Sequence, residues 1–349
     1  MLRISLLLLS VFFSNFLSAQ TPAVKDYLDV SISVFDINLP ADKKTQNQLG
    51  IYPQVRKAEA RYIPAFLQLR LMESNRWGAV RLMPADDVGA ELLIDGKIIA
   101  SDGSRLVLKI SATDSTGRVW TDKIYSGMAV KRFSAKQSIE GTEPFLSVYD
   151  KINQDLIGVY TNLSVAEVNK IKTVAQLRYA AFLSPETYAS YLHKNEDGRY
   201  VVDHLPASND PDFLRIQKIR KHEFLFIDVV NDQYHDFFVS IKPVYDLWRK
   251  YRREQKQSDV YLMQRSAKGG NKFPPGSYMS LREAYNNFRL ANMKDQYLDE
   301  ISKRFNNEIS PTDIKLKDSL FHLTGTLAKQ YTEWRSILKK IYELEHKNP

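Results

Sequence analysis

The stretch "AELLIDGKIIASDGSRLVLKISATDSTGRVWTDKIYSG", residues 90–127, decides the fold. Three runs within it, 90–100, 105–113 and 118–127, alternate apolar with polar side chains, and "SDGS" (101–104) and "DSTG" (114–117) separate them. Alternation with a period of two marks strands that bury one face. Asp-Gly or Thr-Gly between such runs marks a hairpin, because glycine takes positive φ without steric cost. In the middle run Leu106, Leu108 and Ile110 face one way, while Val107, Lys109 and Ser111 face the other. An antiparallel meander is therefore expected, packed on one side and partly solvated on the other.

Upstream, "YLDVSISVFD" (27–36) reads as a further strand and "NLPADKKTQNQLGIYP" as a polar loop. Ala58, Tyr62, Phe66 and Leu69 recur at steps of three and four, which predicts a helix over 54–74, with Pro64 kinking it or breaking its start. "WGAVRLMP" supplies a short strand, and Phe145, Val148, Ile152 and Leu156 predict a helix over 144–163. The resulting order, β-α-β-β-β-β-α over residues 20–164, implies an α+β domain with helices on one side of a mixed sheet.

From 165 to 265 helical patterning dominates. Phe237, Ile241, Val244, Trp248 and Tyr251 form one stripe, with Pro243 either kinking that helix or starting another. "SAKGGNKFPPGS" is rich in Gly and Pro, so a linker is expected over 266–279. Residues 280–349 read as helix, two strands and helix, a small αββα module.

The first residues, "MLRISLLLLSVFFSNFLSAQ", carry Arg3, an apolar run and small residues ending at Ala19. This pattern predicts a signal peptide over 1–19 that is cleaved on export. The apolar run is short for a membrane span, which needs about 20 residues, and no later stretch is long and apolar enough either. The chain has no cysteine, which excludes disulfides, thiolate metal sites and a lipidated cysteine at the cleavage site. A periplasmic protein, peripheral to the outer membrane, is expected. Its formal charge of +8 suits anionic envelope material (lipid, lipopolysaccharide or peptidoglycan) rather than nucleic acid.

Catalytic motifs are absent: there is no G-x-S-x-G, H-E-x-x-H, Walker or G-x-G-x-x-G signature. No catalytic residue, metal ligand or cofactor is therefore assigned. His222 and His235, near Glu223, Asp232 and Asp236, would need to meet on adjacent helices to hold a metal, and surface histidines are the commoner case. Asp86, Asp87 and Asp114 fall in turns, which aspartate favours through its side-chain hydrogen bonds. The most unusual run is "LWRKYRREQK" (247–256), where Arg249, Lys250, Arg252, Arg253 and Lys256 stand against Glu254 alone. With Trp248 and Tyr251 interleaved, these cations suit a phosphate-bearing surface, although aromatics on a helix stripe usually pack inward.

Two resemblances bear on the reading. Phe321, Leu323, Gly325 and Leu327 sit at two-residue steps between the predicted helices "YLDEISKRFNN" and "YTEWRSILKKIY". This arrangement resembles a BON domain, with its V-x-L-x-G-x-V strand before the second helix, though "LKDS" stands where the family has a glycine. The resemblance implies that Gly325 is structural and that His322 points off the core. The first domain, by element order and by "VFD" and "SDG", resembles small periplasmic domains of the curli secretion channel, of peptidoglycan-synthase activators and of the Tol-system propeller protein. Those families imply docking to envelope proteins rather than catalysis. The expected function is thus a non-catalytic cell-envelope protein that binds protein partners or anionic material. Alternatives are a wall or polysaccharide hydrolase using Asp/Glu pairs, and a structural accessory of an envelope transport or motility machine.

Overall fold

The three alternating runs form the antiparallel half of a five-stranded mixed sheet. A computed structural model of the protein describes residues 26–129, 143–267, 292, 296–301, 303, 311–316 and 319–347. The predicted leader (1–19) and residues 268–279 of the predicted linker lie outside them. Strands β1 (Val30–Ser33), β2 (Val80–Met83), β3 (Leu92–Ser101), β4 (Arg105–Asp114) and β5 (Val119–Met128) lie in the order β2-β1-β3-β4-β5. β1 pairs in parallel with β2 (Val30 opposite Val80) and with β3 (Val30 opposite Leu92), and the β3-β4-β5 meander is antiparallel. The fold is α+β with a mixed sheet.

Leu106, Leu108, Ile110 and Ala112 of β4 are buried, while Lys109 opposite Ile124 on β5 is exposed, so the sheet has one covered and one open face. At the β3–β4 turn the Asp102 carboxylate accepts the amides of Ser104 and Arg105 (3.0 and 2.8 Å), and Gly103 takes φ +77°. A side chain at Gly103 would also meet the Arg249 backbone, so this tip docks on the helix that carries the basic run.

Helix α2 (Pro53–Glu73) follows a short helix α1 (Lys43–Gln48) and continues through Pro64. Tyr62 and Phe66 meet Phe238 of the later helix, while Val55, Ile63, Leu67 and Leu71 are also buried, so α2 is sandwiched rather than one-sided. Helix α3 (Leu146–Asn162) packs beside β5. Helix α4 (Val165–Leu183) starts at a reciprocal cap, Ser164 Oγ accepting the Glu167 amide and Glu167 accepting the Ser164 amide. After a single turn α5 (Pro185–Tyr188), a small hairpin β6 (Leu192–Lys194) and β7 (Tyr200–Val202) interrupts the stretch expected to be helical.

Helix α6 (Pro211–Ala267) has 57 residues, about 85 Å at 1.5 Å each, and continues through Pro243 rather than ending there. Its Asn231 carboxamide bonds both the amide and the carbonyl of Leu82 (2.8 and 3.0 Å), which satisfies the free edge of β2. Strands β8 (Thr312–Leu316) and β9 (Ser319–Leu323) form a hairpin, and helix α7 (Leu327–Lys347) closes against α6. Gly325 is in the turn between β9 and α7 at φ +97°, not inside a strand, and the two-residue rhythm ends at Leu323. His322 is exposed and pairs with Asp313 across the hairpin (2.6 Å). One hydrophobic core runs without a break from the sheet through α2 and α6 to α7. No described helix is long and apolar enough to cross a membrane.

Candidate functional site

A cleft of about 240 Å³ opens where the start of β1, the β2–β3 loop, α4 and α6 meet. Its polar wall grows from Asp87, in the loop after β2. One carboxylate oxygen accepts the Ser31 hydroxyl (2.7 Å), and the other accepts Arg220 Nη2 (2.6 Å) and the Gly89 amide (3.1 Å). Burial alone would raise this carboxyl, but the Arg220 charge and the Ser31 bond outweigh it and hold it below the usual range.

Arg220 continues the chain of contacts. Its second nitrogen donates to Glu223 (2.9 Å), and its plane lies over the rings of Phe224 (4.3 Å) and Tyr179 (4.7 Å). Glu223 is fully buried and also accepts the Tyr331 hydroxyl of α7 (2.6 Å), with Arg335 3.4 Å away. Burial raises the Tyr331 hydroxyl far out of its ordinary range, so it stays a donor. The network thus ties sheet, loop, α6 and α7 together beneath the cleft floor.

Glu91 stands at the rim. It accepts the Asp29 amide (2.9 Å), but burial, reinforced by the nearby Asp29 charge, pushes its carboxyl up to about 7. Asp29 pairs with Arg81 (3.3 Å), which also holds Asp228 (2.8 Å). The cations and carboxylates that line the cleft are therefore largely engaged with one another, and among the described residues that line it none is a histidine that could activate the Ser31 hydroxyl.

A second buried network fills the α2–α6 contact. Glu59 accepts Ser101 (2.6 Å), Tyr245 (2.7 Å) and Arg56 (3.1 Å), and Arg56 also donates to the Ile98 carbonyl (3.2 Å). Burial raises the Glu59 carboxyl against the opposing pull of Arg56.

The basic run divides in two. Arg249 does not belong to the surface: it is 2% exposed, holds Glu143 through both nitrogens (2.6 and 2.9 Å), and also pairs with Asp246. Trp248 and Tyr251 pack inward beside it. Lys250 and Lys256 are exposed, Lys256 pairing with Asp102 (2.8 Å), while Arg252 and Arg253 are half-buried. Arg252 lies 5.2 Å from the Tyr52 ring and donates to Gln255 (2.7 Å). Burial and then the Arg249 charge disfavour the cationic form of Arg253. Two exposed lysines and two half-buried arginines thus gather in the C-terminal third of α6 around a buried arginine.

His222 and His235 both ride α6, 13 residues or about 20 Å apart, so they do not meet. Asp114 is a turn anchor that accepts Trp120 Nε1 (2.9 Å) and the Thr116 amide (2.9 Å). Sequence reasoning missed Arg220, Glu91, Arg56 and Glu59, and weighed Glu223 only as a neighbour of His222. A signal existed for two pairs: Arg56/Glu59 and Arg220/Glu223 are i,i+3 charges placed among the apolar positions of helix stripes. Compared with known proteins, the chain matches no family model, no curated protein and no solved structure.

Proposed function

We propose that the chain is a non-catalytic, exported cell-envelope protein whose basic stretch on α6, residues 250–256, holds anionic envelope material. The observation that carries this reading is the cluster of Lys250, Arg252, Arg253 and Lys256 beside a buried Arg249. An anion there would offset the repulsion that Arg249 imposes on Arg253. The mutual pairing of the cleft charges supports a binding rather than a chemical role. The leader reading and the BON-type and docking-type resemblances point the same way.

The test is co-sedimentation with phosphatidylglycerol vesicles and with lipopolysaccharide at low ionic strength. Each basic residue near an anionic surface contributes about 1 kcal/mol. The Lys250→Glu/Lys256→Glu double variant should therefore bind at least ~10-fold more weakly, and binding should fade with added salt. Wild-type protein that ignores both materials, or a double variant that binds as tightly, would overturn the proposal.

One observation favours a hydrolase instead: Asp87 held ionised and Glu91 raised to about 7 in one cleft is the split an acid–base pair needs. Turnover of peptidoglycan or polysaccharide that disappears in Glu91→Gln would establish that reading.

A further inference from the structure

Helix α6 carries a second pattern, on the face turned away from the core. Leu214, Leu225 and Val239 are 51%, 52% and 54% exposed, far more than a core helix leaves open. They belong to one stripe at steps of three and four. Its first half reads Leu214, Lys218, Lys221, Leu225, and its second half reads Val229, Asp232, Asp236, Val239, all exposed. The two halves are mirror images in charge: apolar, basic, basic, apolar, then apolar, acidic, acidic, apolar. Among the described residues none of these four charged side chains has an ion-pair partner.

We propose that this stripe is the twofold interface of a homodimer, with α6 of one copy packed antiparallel on α6 of a second copy. An antiparallel pair centred near residue 227 sets Leu225 against Val229, Lys221 against Asp232, Lys218 against Asp236 and Leu214 against Val239. Each pairing occurs twice by symmetry, as an isologous contact requires, giving four Lys–Asp pairs and apolar contacts along the seam. The steps of three and four are those of helices that pack nearly parallel to one another's axes. Parallel pairing in register would instead place Lys218 and Lys221 on their own copies and Asp232 and Asp236 on theirs, which is repulsive. The complementarity is therefore specific to one orientation and to this chain as its own partner.

Size sets the expected strength. From Leu214 to Val239 the stripe is about 39 Å long. With a helix face roughly 10 Å wide it buries about 800 Å² over both copies, below the ~1,200 Å² of standard stable interfaces. Association in the micromolar range that weakens with salt is expected.

The test uses the full chain in sedimentation velocity over a wide concentration range, at low and high ionic strength. Wild type should dimerise at low salt. Lys218→Glu/Lys221→Glu alone and Asp232→Lys/Asp236→Lys alone should each be monomeric, because every seam pair becomes like-charged. An equimolar mixture of the two variants should recover the dimer, since every pair across the seam is then opposite in charge. Circular dichroism melts of each variant establish that it is folded. A wild type that stays monomeric at ~100 μM in low salt, well above a micromolar dissociation constant, would overturn the proposal. So would folded charge variants that still dimerise, or a mixture that stays monomeric. A monomeric wild type whose charge variants lose stability would assign the stripe to other residues of its own chain.

Discussion

Arg249 is the first cation of the most basic run of the chain and is nevertheless inside the protein. A guanidinium taken out of water needs its donors met, and Glu143 meets two of them in parallel while the Arg249 Cζ lies 4.4 Å from the centre of the Tyr245 ring. Removing one partner strands the other, so Arg249→Ala should lose about 3–5 kcal/mol in urea unfolding. Lys250→Ala, one residue away and exposed, should stay within ~0.5 kcal/mol. The joint Arg249→Met/Glu143→Leu change should lose far less than either single truncation, because it removes both charges at once. The sequence placed Arg249 beside Trp248 on a helix stripe but could not supply Glu143, which is 106 residues away. Glu91 makes a second residue-scale prediction. Its folded carboxyl titrates near 7, above its ordinary value, so the folded state favours the neutral form. That contribution is fully present at pH 4 and is lost as pH rises from about 4.5 to 7, up to roughly 3 kcal/mol, less whatever its solvent contact screens. Glu91→Gln keeps an acceptor for the Asp29 amide and should flatten the stability–pH curve over that interval. An unchanged slope in the variant would assign it to other groups.

Among the elements, the meander was legible because its signals are local: alternation within ten residues and glycine at each turn. The β6–β7 hairpin carries the same Asp-Gly signal, at Asp197–Gly198, and Gly198 does take φ +73°. It escaped notice because the helical stretches on either side dominate the pattern and each strand is only three residues long. Gly325 shows the opposite error. An apolar two-residue rhythm from Phe321 to Leu327 crosses from strand β9 into helix α7, and glycine marks the left-handed residue at that crossing rather than a strand position. Pro243 and Pro64 could each kink a helix or mark its boundary, and neither ends one: both helices continue through them because tertiary packing on α2 and α6 outweighs local preference. At Pro243 the local cost remains: the Val239 carbonyl lacks its helical donor, although this face is exposed to water. Pro243→Ala should therefore stabilise the protein by about 1–3 kcal/mol, measured by chemical denaturation. A loss instead would mean that the proline sets a bend on which packing against α2 depends.

At the scale of the whole molecule, the chain reads as three regions in sequence but buries one continuous core. Composition and linker signals mark where few contacts are made along the chain, and they say nothing about which distant faces meet. The buried networks supply the missing links: Glu223 of α6 reaches Tyr331 of α7 on one side, and through Arg220 it reaches Asp87 beside the sheet on the other. Trp334 is the apolar counterpart. It is fully buried, stacks on Phe226 of α6, meets Phe321 of β9 edge-on, and donates to the His222 carbonyl (3.3 Å). Trp334→Ala should cost about 3–5 kcal/mol, as truncation of a buried aromatic does. Where that loss is felt distinguishes a shared core from a separate C-terminal module. The variant keeps Trp77 and Trp120 by the sheet and Trp248 on α6, so its fluorescence reports the other end of the molecule while far-ultraviolet dichroism reports the helices. With one core, both signals should move to lower urea together and remain a single coincident transition. Fluorescence that holds its wild-type midpoint while part of the helical signal melts early would show that α7 and the β8–β9 hairpin unfold independently, and that the core is continuous in contact but not in cooperativity.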